Sequence, residues 1–328
     1  MHIKKVAIVG AGAIGGLFTA WLAKLSHVSI SVIARGETLK SLTHNGLQFS
    51  QGDESHSLQI AATDDASSLG FQDLVILAVK GPSLTQVLPQ IKNLIGPKTL
   101  LLVAMNGVPW WFFDSFGGDF EGLKLKTIDP DGVLSNSIVT DQIVGCVLHA
   151  SAITQAPGLI RHIAGNKLII GMANNSECTR LNDLKLLLDS SGWDVTISDC
   201  IHKNIWYKLW GNMTMNPVSA ITGATCDRIL DDPFTRHFCS AVMLEAQSIG
   251  TLIGCSINET PEERHEVTRK LGAFKTSMLQ DVEAGRHLEI DALVSVVREI
   301  GQHVGVATPN IDALLGLVRL MASVRKLY

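Results

Sequence analysis

Lys5-Val6-Ala7-Ile8-Val9-Gly10-Ala11-Gly12-Ala13-Ile14-Gly15 decides how the rest of the chain is read. Lys5–Val9, rich in Val and Ile, reads as a buried strand, and Ile14–Leu25 carries a helical period. Between them the glycines fall in the spacing GxGxxG. In a strand-turn-helix setting the first glycine allows the tight turn and the second lets backbone approach a pyrophosphate. The third lets helix and strand pack closely, while the helix N-terminus faces the phosphates. Gly10, Ala11, Gly12, Ala13, Ile14 and Gly15 therefore read as dinucleotide-binding. Flavin and nicotinamide dinucleotides share this fingerprint, so the motif leaves the choice between them open.

Working outward, the alternation continues with Ser29–Ala34, Thr38–His44, Asp73–Val79, Leu84–Ile95 and Thr99–Met105, the mark of βαβ units and a parallel sheet. Ile143–Ile153 and Leu159–Ile170 read as longer strands in a hairpin turned by Pro157-Gly158. Arg180–Ser190 is leucine-rich at helical spacing, Trp193–Ile197 reads as one more strand, and beyond Cys200 nearly everything is helical in pattern. The expected architecture is an α/β Rossmann-type N-terminal domain, residues 1–199, and an all-α C-terminal domain, residues 200–328. Phe112 to Gln142 turns to Gly, Asp, Ser and Pro and reads as a loop-rich insertion beside the site.

The chain has 328 residues, 46% hydrophobic and 18% charged, with a formal net charge of -4. That balance offers phosphate backbones and anionic membranes no broad attraction, so nucleic acid and membrane are not expected partners. The longest apolar runs fall far below the ~20 residues that span a bilayer. No basic stretch, apolar core and cleavage site precede Ile3, and a cytoplasmic protein is expected. Six cysteines stand far apart with no CxxC pair, which fits reduced, buried thiols. The 11 histidines are scattered without metal-ligand spacing, and no metal is expected.

About 20 residues past the fingerprint, NAD enzymes carry an acidic residue for the ribose 2′-hydroxyl. This chain has Ile33-Ala34-Arg35-Gly36 there. Arg35 favours the 2′-phosphate of NADP, because guanidinium pairs with phosphate in a bidentate way; an ordinary surface arginine is the competing reading. Lys80 and Asn106-Gly107 close two further strands at the edge where open α/β sheets hold ligands; a solvated lysine and an ordinary Asn-Gly turn, a common turn pair, are the competing readings. Lys208, Asn212 and Asn216 are spaced four apart, so at about 100° per residue they share an arc of roughly 80°. The stripe fits either a solvent-facing strip or a cleft wall. Pro217 is expected to end this helix at Asn216, since the residue before proline avoids the α region. Lys275–Asp281 reads as a helix, broken near Gly285, with a second helix starting near Glu289; helix capping is the simpler reading of Glu289 and Asp291.

With these residues the chain resembles the ketopantoate reductase (2-dehydropantoate 2-reductase) family over nearly its whole length. The pieces that carry the likeness are Gly10–Gly15, Lys80, Asn106-Gly107, Lys208/Asn212/Asn216 followed by Ser219, and Ser277-Met278-Leu279-Gln280-Asp281 with Glu289 beyond. The resemblance implies reduction of 2-dehydropantoate to (R)-pantoate with NADPH, a step feeding pantothenate and coenzyme A synthesis. It implies Lys208 as general acid and Glu289 as its catalytic companion, helping to hold substrate and lysine. Asn106, Asn212, Asn216 and Ser277 would contact substrate, with Lys80 and Asn106 at the cofactor and Arg35 on the 2′-phosphate.

The chain departs from the family at Val108-Pro109-Trp110-Trp111-Phe112-Phe113, in the stretch to Gln142, and at Phe274. A wider aromatic pocket would suit another 2-oxo acid; burial of Trp110 and Trp111 is the plainer alternative. The competing functions are a reductase of a different 2-oxo acid, a related β-hydroxyacid or opine-type dehydrogenase, and a non-catalytic dinucleotide-binding protein. The amphipathic tail Ile311–Val324, with Leu314, Leu315, Val318 and Met321 on one face, packs internally or forms a homodimer's two-fold interface.

Overall fold

The computed structural model describes residues 3–328, the side chain of Pro82 excepted. The chain forms two compact units. The first comprises the residues up to Met105 with Trp111–Gly122 and Gly132–Ile201; the second comprises Asn106–Trp110, Leu123–Asp131 and His202–Tyr328.

In the first unit β1 (Lys5–Val9), α1 (Ala13–Leu22), β2 (Ser29–Ile33) and α2 (Gly36–Asn45) follow the expected alternation. Next come β3 (Leu47–Gln51), β4 (Glu54–Leu58), β5 (Ala61–Thr63), β6 (Gln72–Leu77), α3 (Leu84–Leu94) and β7 (Ile95–Val103). The long strands β8 (Ile143–Ala156) and β9 (Leu159–Met172), α4 (Thr179–Ser191) and β10 (Asp194–Ile197) complete it. One 10-stranded sheet runs β4-β3-β9-β8-β7-β6-β1-β2-β5, with β10 against β9. Its centre, β2-β1-β6-β7-β8, is parallel. The hairpin β8–β9 is antiparallel, as Pro157-Gly158 indicated. Being covered on both faces, β1 and β6 are apolar at almost every position rather than alternating.

Two packing contacts fix α1 on this sheet. A side chain at Gly16 would press into Ile160 of β9, its Cβ within 2.5 Å of Cγ1. Phe18 and Trp21 on the same helix meet the Trp193 ring at centroid distances of 4.7 and 4.4 Å. Strands β3–β5 lie in a stretch for which the sequence pattern indicated no strands. β3 alternates only weakly, and β4 is exposed along most of its length.

The second unit is helical: α5 (Ile201–Thr222), α6 (Cys226–Asp231), α7 (Pro233–Leu252), α8 (Pro261–Arg269), α9 (Ser277–Glu283), α10 (Val296–His303) and α11 (Pro309–Val324). A wide π turn, Asp291–Ser295, leads into α10. Trp206, Leu209, Trp210 and Met213 of α5 are buried, with Val242 and Met243 of α7 and Leu314 and Val318 of α11. Trp210 Nε1 donates to the Met243 carbonyl at 2.7 Å.

Pro217 does not end α5. The helix continues to Thr222 with the proline inside it. Met215, Val218, Ser219 and Ala220 are all buried around it, so apolar packing outweighs the lost backbone bond and the strain of the ring. Asn216 is consequently an interior residue of α5, only 5% exposed.

Residues 112–142 carry no strand or α-helix before the short turn at Thr140–Gln142, as a loop-rich insertion should. Trp110, Trp111, Phe112 and Phe113 at its start are buried. The Trp111 ring packs so closely on Gly145 of β8 that a Cβ there would lie 2.7 Å from it. These aromatics are part of the buried core, as the plainer of the two expectations had it. All six cysteines are free thiols. No helix among the described residues is long and apolar enough to cross a membrane.

Candidate active site

The residues that the sequence reads as dinucleotide-binding lie at the carboxyl edge of the parallel strands in the first unit. Gly10 N donates to Ile33 O (3.1 Å), Ala78 N to Val9 O (3.0 Å) and Ala104 N to Leu77 O (2.9 Å). These bonds align the ends of β1, β2, β6 and β7. Gly10, Arg35 and Lys80 therefore leave the sheet along one edge.

The glycines fit a pyrophosphate cradle. Gly10 sits at φ +98°, and a Cβ there would lie 2.6 Å from Val79 Cγ1 and 2.9 Å from the Ala78 carbonyl oxygen. A Cβ on Gly15 would overlap the Gly10 carbonyl oxygen outright, so β1 and α1 meet at backbone distance. Around Gly12 the space is open: nothing lies within 4 Å of where its side chain would be. Gly12 is the N-cap of α1 and has no side chain to cap it. Ala13 and Ile14 form the first turn behind it. Closed packing behind the turn and open backbone in front is the arrangement that admits a phosphate to a helix N-terminus. Ala11 is half-buried at the turn. Arg35 is exposed at the N-terminus of α2, and Lys80 is half-buried before the turn Gly81–Ser83.

The second unit gathers the other polar residues. Lys208 Nζ donates to Asn106 Oδ1 at 2.8 Å, joining groups 102 residues apart. One and two turns on along α5 come Asn212, half-buried, and Asn216, whose Nδ2 donates to Ser277 Oγ at 3.5 Å. Ser277 is the first residue of α9, held by its neighbour Thr276, whose side chain accepts from Leu279 N at 3.2 Å. Glu289 is half-buried between the Gly285 break, at φ +64°, and the π turn. The stripe read from the spacing is thus flanked by Asn106 at one end and Ser277 at the other.

Two supports of this cluster had no signature in the sequence. Val108 N donates to the Ala292 carbonyl of the π turn at 2.9 Å. Gly107, at φ +84°, lies flat on that turn: a Cβ would stand 2.6 Å from the Ala292 carbonyl carbon and 2.8 Å from its Cβ. Sequence alone gave Asn106-Gly107 as a common turn pair. The Glu299 carboxylate accepts from Lys126 N (2.7 Å) and Thr127 N (2.9 Å), which holds Leu123–Asp131 in the second unit.

Comparison with known proteins identifies the family. The family model described as ketopantoate reductase PanE/ApbA matches residues 6–110, and that of its C-terminal part matches residues 201–322. A 2-dehydropantoate 2-reductase from Mesorhizobium japonicum is 41% identical over 324 residues, 99% of both chains. The chain belongs to the ketopantoate reductase family.

A crystal structure described as a ketopantoate reductase from Ralstonia solanacearum superposes with a TM-score of 0.96 at 52% identity, covering 99% of this chain and 100% of that one. D-mandelate dehydrogenase, in a ternary structure with NADH and anilino(oxo)acetate, shares the fold: TM-score 0.84, 21% identity, 99% and 100% coverage. The two ketopantoate reductase models leave residues 111–200 between them, the stretch that holds most of the buried aromatic run and the loop-rich insertion.

Proposed function

We infer that this chain reduces 2-dehydropantoate to (R)-pantoate with NADPH, an oxidoreductase reaction on a CH–OH group that feeds pantothenate and coenzyme A synthesis. Family membership supports the reaction, and the Lys208–Asn106 pair is the single observation that carries the mechanism. When bound, the reduced nicotinamide supplies the hydride.

The rest of the chemistry belongs to the side chains. As hydride reaches C2, the electron pair of the C=O bond moves onto oxygen. Lys208 stabilises that charge and gives the oxygen its proton, and the neutral amine left behind recovers a proton from solvent. Asn106 fixes the direction of the ammonium through the Nζ–Oδ1 bond. Asn212, Asn216 and Ser277 offer amide and hydroxyl donors to the substrate's polar groups. Glu289 supplies a carboxylate that helps to hold substrate and lysine. Arg35 meets the 2′-phosphate, and Lys80 completes the cofactor side.

A kinetic screen of 2-dehydropantoate and other 2-oxo acids with NADPH and NADH tests the reading. The highest kcat/KM is expected for 2-dehydropantoate with NADPH; a higher value for another oxo acid overturns the substrate, and no oxidation of NADPH with any of them overturns the enzyme. We place the reaction in the cytoplasm and the enzyme in a homodimer. α11 leaves Leu317, Leu320 and Val324 exposed at helical spacing, and Leu320→Glu should convert a dimer to a monomer in light scattering.

A further inference from the structure

The end of α11 is closed rather than frayed. Lys326 takes a left-handed conformation at φ +57°, and Leu327 N returns to the Ala322 carbonyl at 2.8 Å. This closure turns Leu327 and Tyr328 back over the residues that follow the Gly285 break. Leu327, buried, accepts through its carbonyl from Leu288 N at 2.9 Å. The Tyr328 hydroxyl donates to Asp291 Oδ1 at 2.8 Å. Its ring is held in turn by the Arg319 guanidinium, 5.5 Å from the centroid, and by the His287 ring at 6.2 Å.

Those two bonds bracket Glu289, one on Leu288 and one on Asp291. Asp291 also opens the π turn, whose next residue is Ala292. A π turn is one residue wider than an α turn and marks functional sites more often than chance. Here the Ala292 carbonyl accepts from Val108 N, Gly107 packs flat against it, and Asn106 beside them takes the bond from Lys208. An unbroken chain of bonded and packed neighbours therefore runs from the tyrosine hydroxyl through Asp291 and Ala292 to the asparagine that orients the lysine.

We propose that Tyr328, acting through Asp291, is a positioning residue for reduction: its hydroxyl fixes the register in which residues 288–292 present the Glu289 carboxylate and the Ala292 carbonyl. This rests on the reductase reading for its effect on turnover, while its effect on the backbone stands apart from any activity. The bond to a carboxylate is what separates tyrosine from phenylalanine.

The test uses Tyr328→Phe, which keeps the ring and its contacts and removes only the donor. Hydrogen exchange followed by mass spectrometry reads the Asn106–Val108 and Leu288–Ser295 segments without reference to turnover. Exchange in both should rise about tenfold, the size expected from losing one bond to a charged acceptor. In the same samples kcat for the 2-oxo acid should fall about tenfold, with the NADPH KM unchanged. Asp291→Ala should match Tyr328→Phe, the double variant should be no worse, and Asp291→Asn, which keeps an acceptor oxygen, should restore most of the loss. Unchanged exchange in the two segments overturns the proposal whatever the activity. So does an Asp291→Asn variant as impaired as Asp291→Ala, or a loss of turnover that follows only the thermal midpoint. Failure of the wild-type enzyme to reduce any 2-oxo acid would remove the reductase reading and leave the exchange result to decide the positioning.

Discussion

Gly107→Ala places a methyl group where the structure has no room for it. The added carbon would lie 2.6 Å from the Ala292 carbonyl carbon and 2.8 Å from its Cβ, against the 3.4–4 Å of ordinary contact. Both neighbours belong to the π turn, so no flexible side-chain tip can swing away. The residue also sits at φ +84°, where a side chain costs about 1–2 kcal/mol. Overpacking against a fixed backbone adds about 1–3 kcal/mol. The combined destabilisation of about 2–5 kcal/mol can be relieved only by moving residues 106–108 off the turn. That movement takes Asn106 from Lys208, and a misplacement of about 1 Å costs up to roughly 10²-fold in kcat. Urea unfolding and steady-state reduction of the 2-oxo acid, measured on the same preparation, read the two consequences. Native stability together with native kcat in Gly107→Ala would refute the reasoning, because both follow from the one contact.

Arg35→Ala should raise the KM for NADPH about 10- to 100-fold and leave that for NADH nearly unchanged, since a charge-assisted bond to phosphate is worth about 1.5–3 kcal/mol; equal effects on both cofactors would show that Arg35 does not meet the 2′-phosphate. His202, in the first turn of α5, is fully buried, and burial pushes its pKa down from 6.5 to about 4. The unfolded chain therefore binds a proton below pH 6.5 that the folded chain refuses until about pH 4, so stability is full above 6.5 and falls as pH drops through this window. The slope is about 1.4 kcal/mol per pH unit at most, for a total of about 3 kcal/mol. Denaturant titrations at several pH values should show that slope shrinking in His202→Gln, and an identical pH dependence in the two proteins would contradict the assignment.

What the sequence made legible was local. The strand, the glycine spacing and the helix behind them are encoded within residues 5–22, so the turn at Gly10 and the close contact at Gly15 follow from nearest neighbours in the chain. The Lys208, Asn212 and Asn216 stripe was legible for the same reason, since helical period alone aligns residues four apart. The bond from Lys208 to Asn106 crosses 102 residues and leaves no periodic trace. Pro217 misled because the local rule against proline in a helix competes with packing that only the folded unit reveals. Strand β4 escaped notice because nearly all of it is exposed and carries no apolar alternation. The π turn and the Tyr328–Asp291 bond that meets it depend on tertiary contacts, and no residue type announces either.

Lys208→Ala tests the central claim most directly. With the ammonium removed, single-turnover reduction of 2-dehydropantoate should slow by about 10²–10⁴-fold, the usual contribution of a general acid, while the Kd for NADPH stays at its wild-type value. Turnover within a few-fold of wild type would show that the proton on the product's hydroxyl comes from elsewhere.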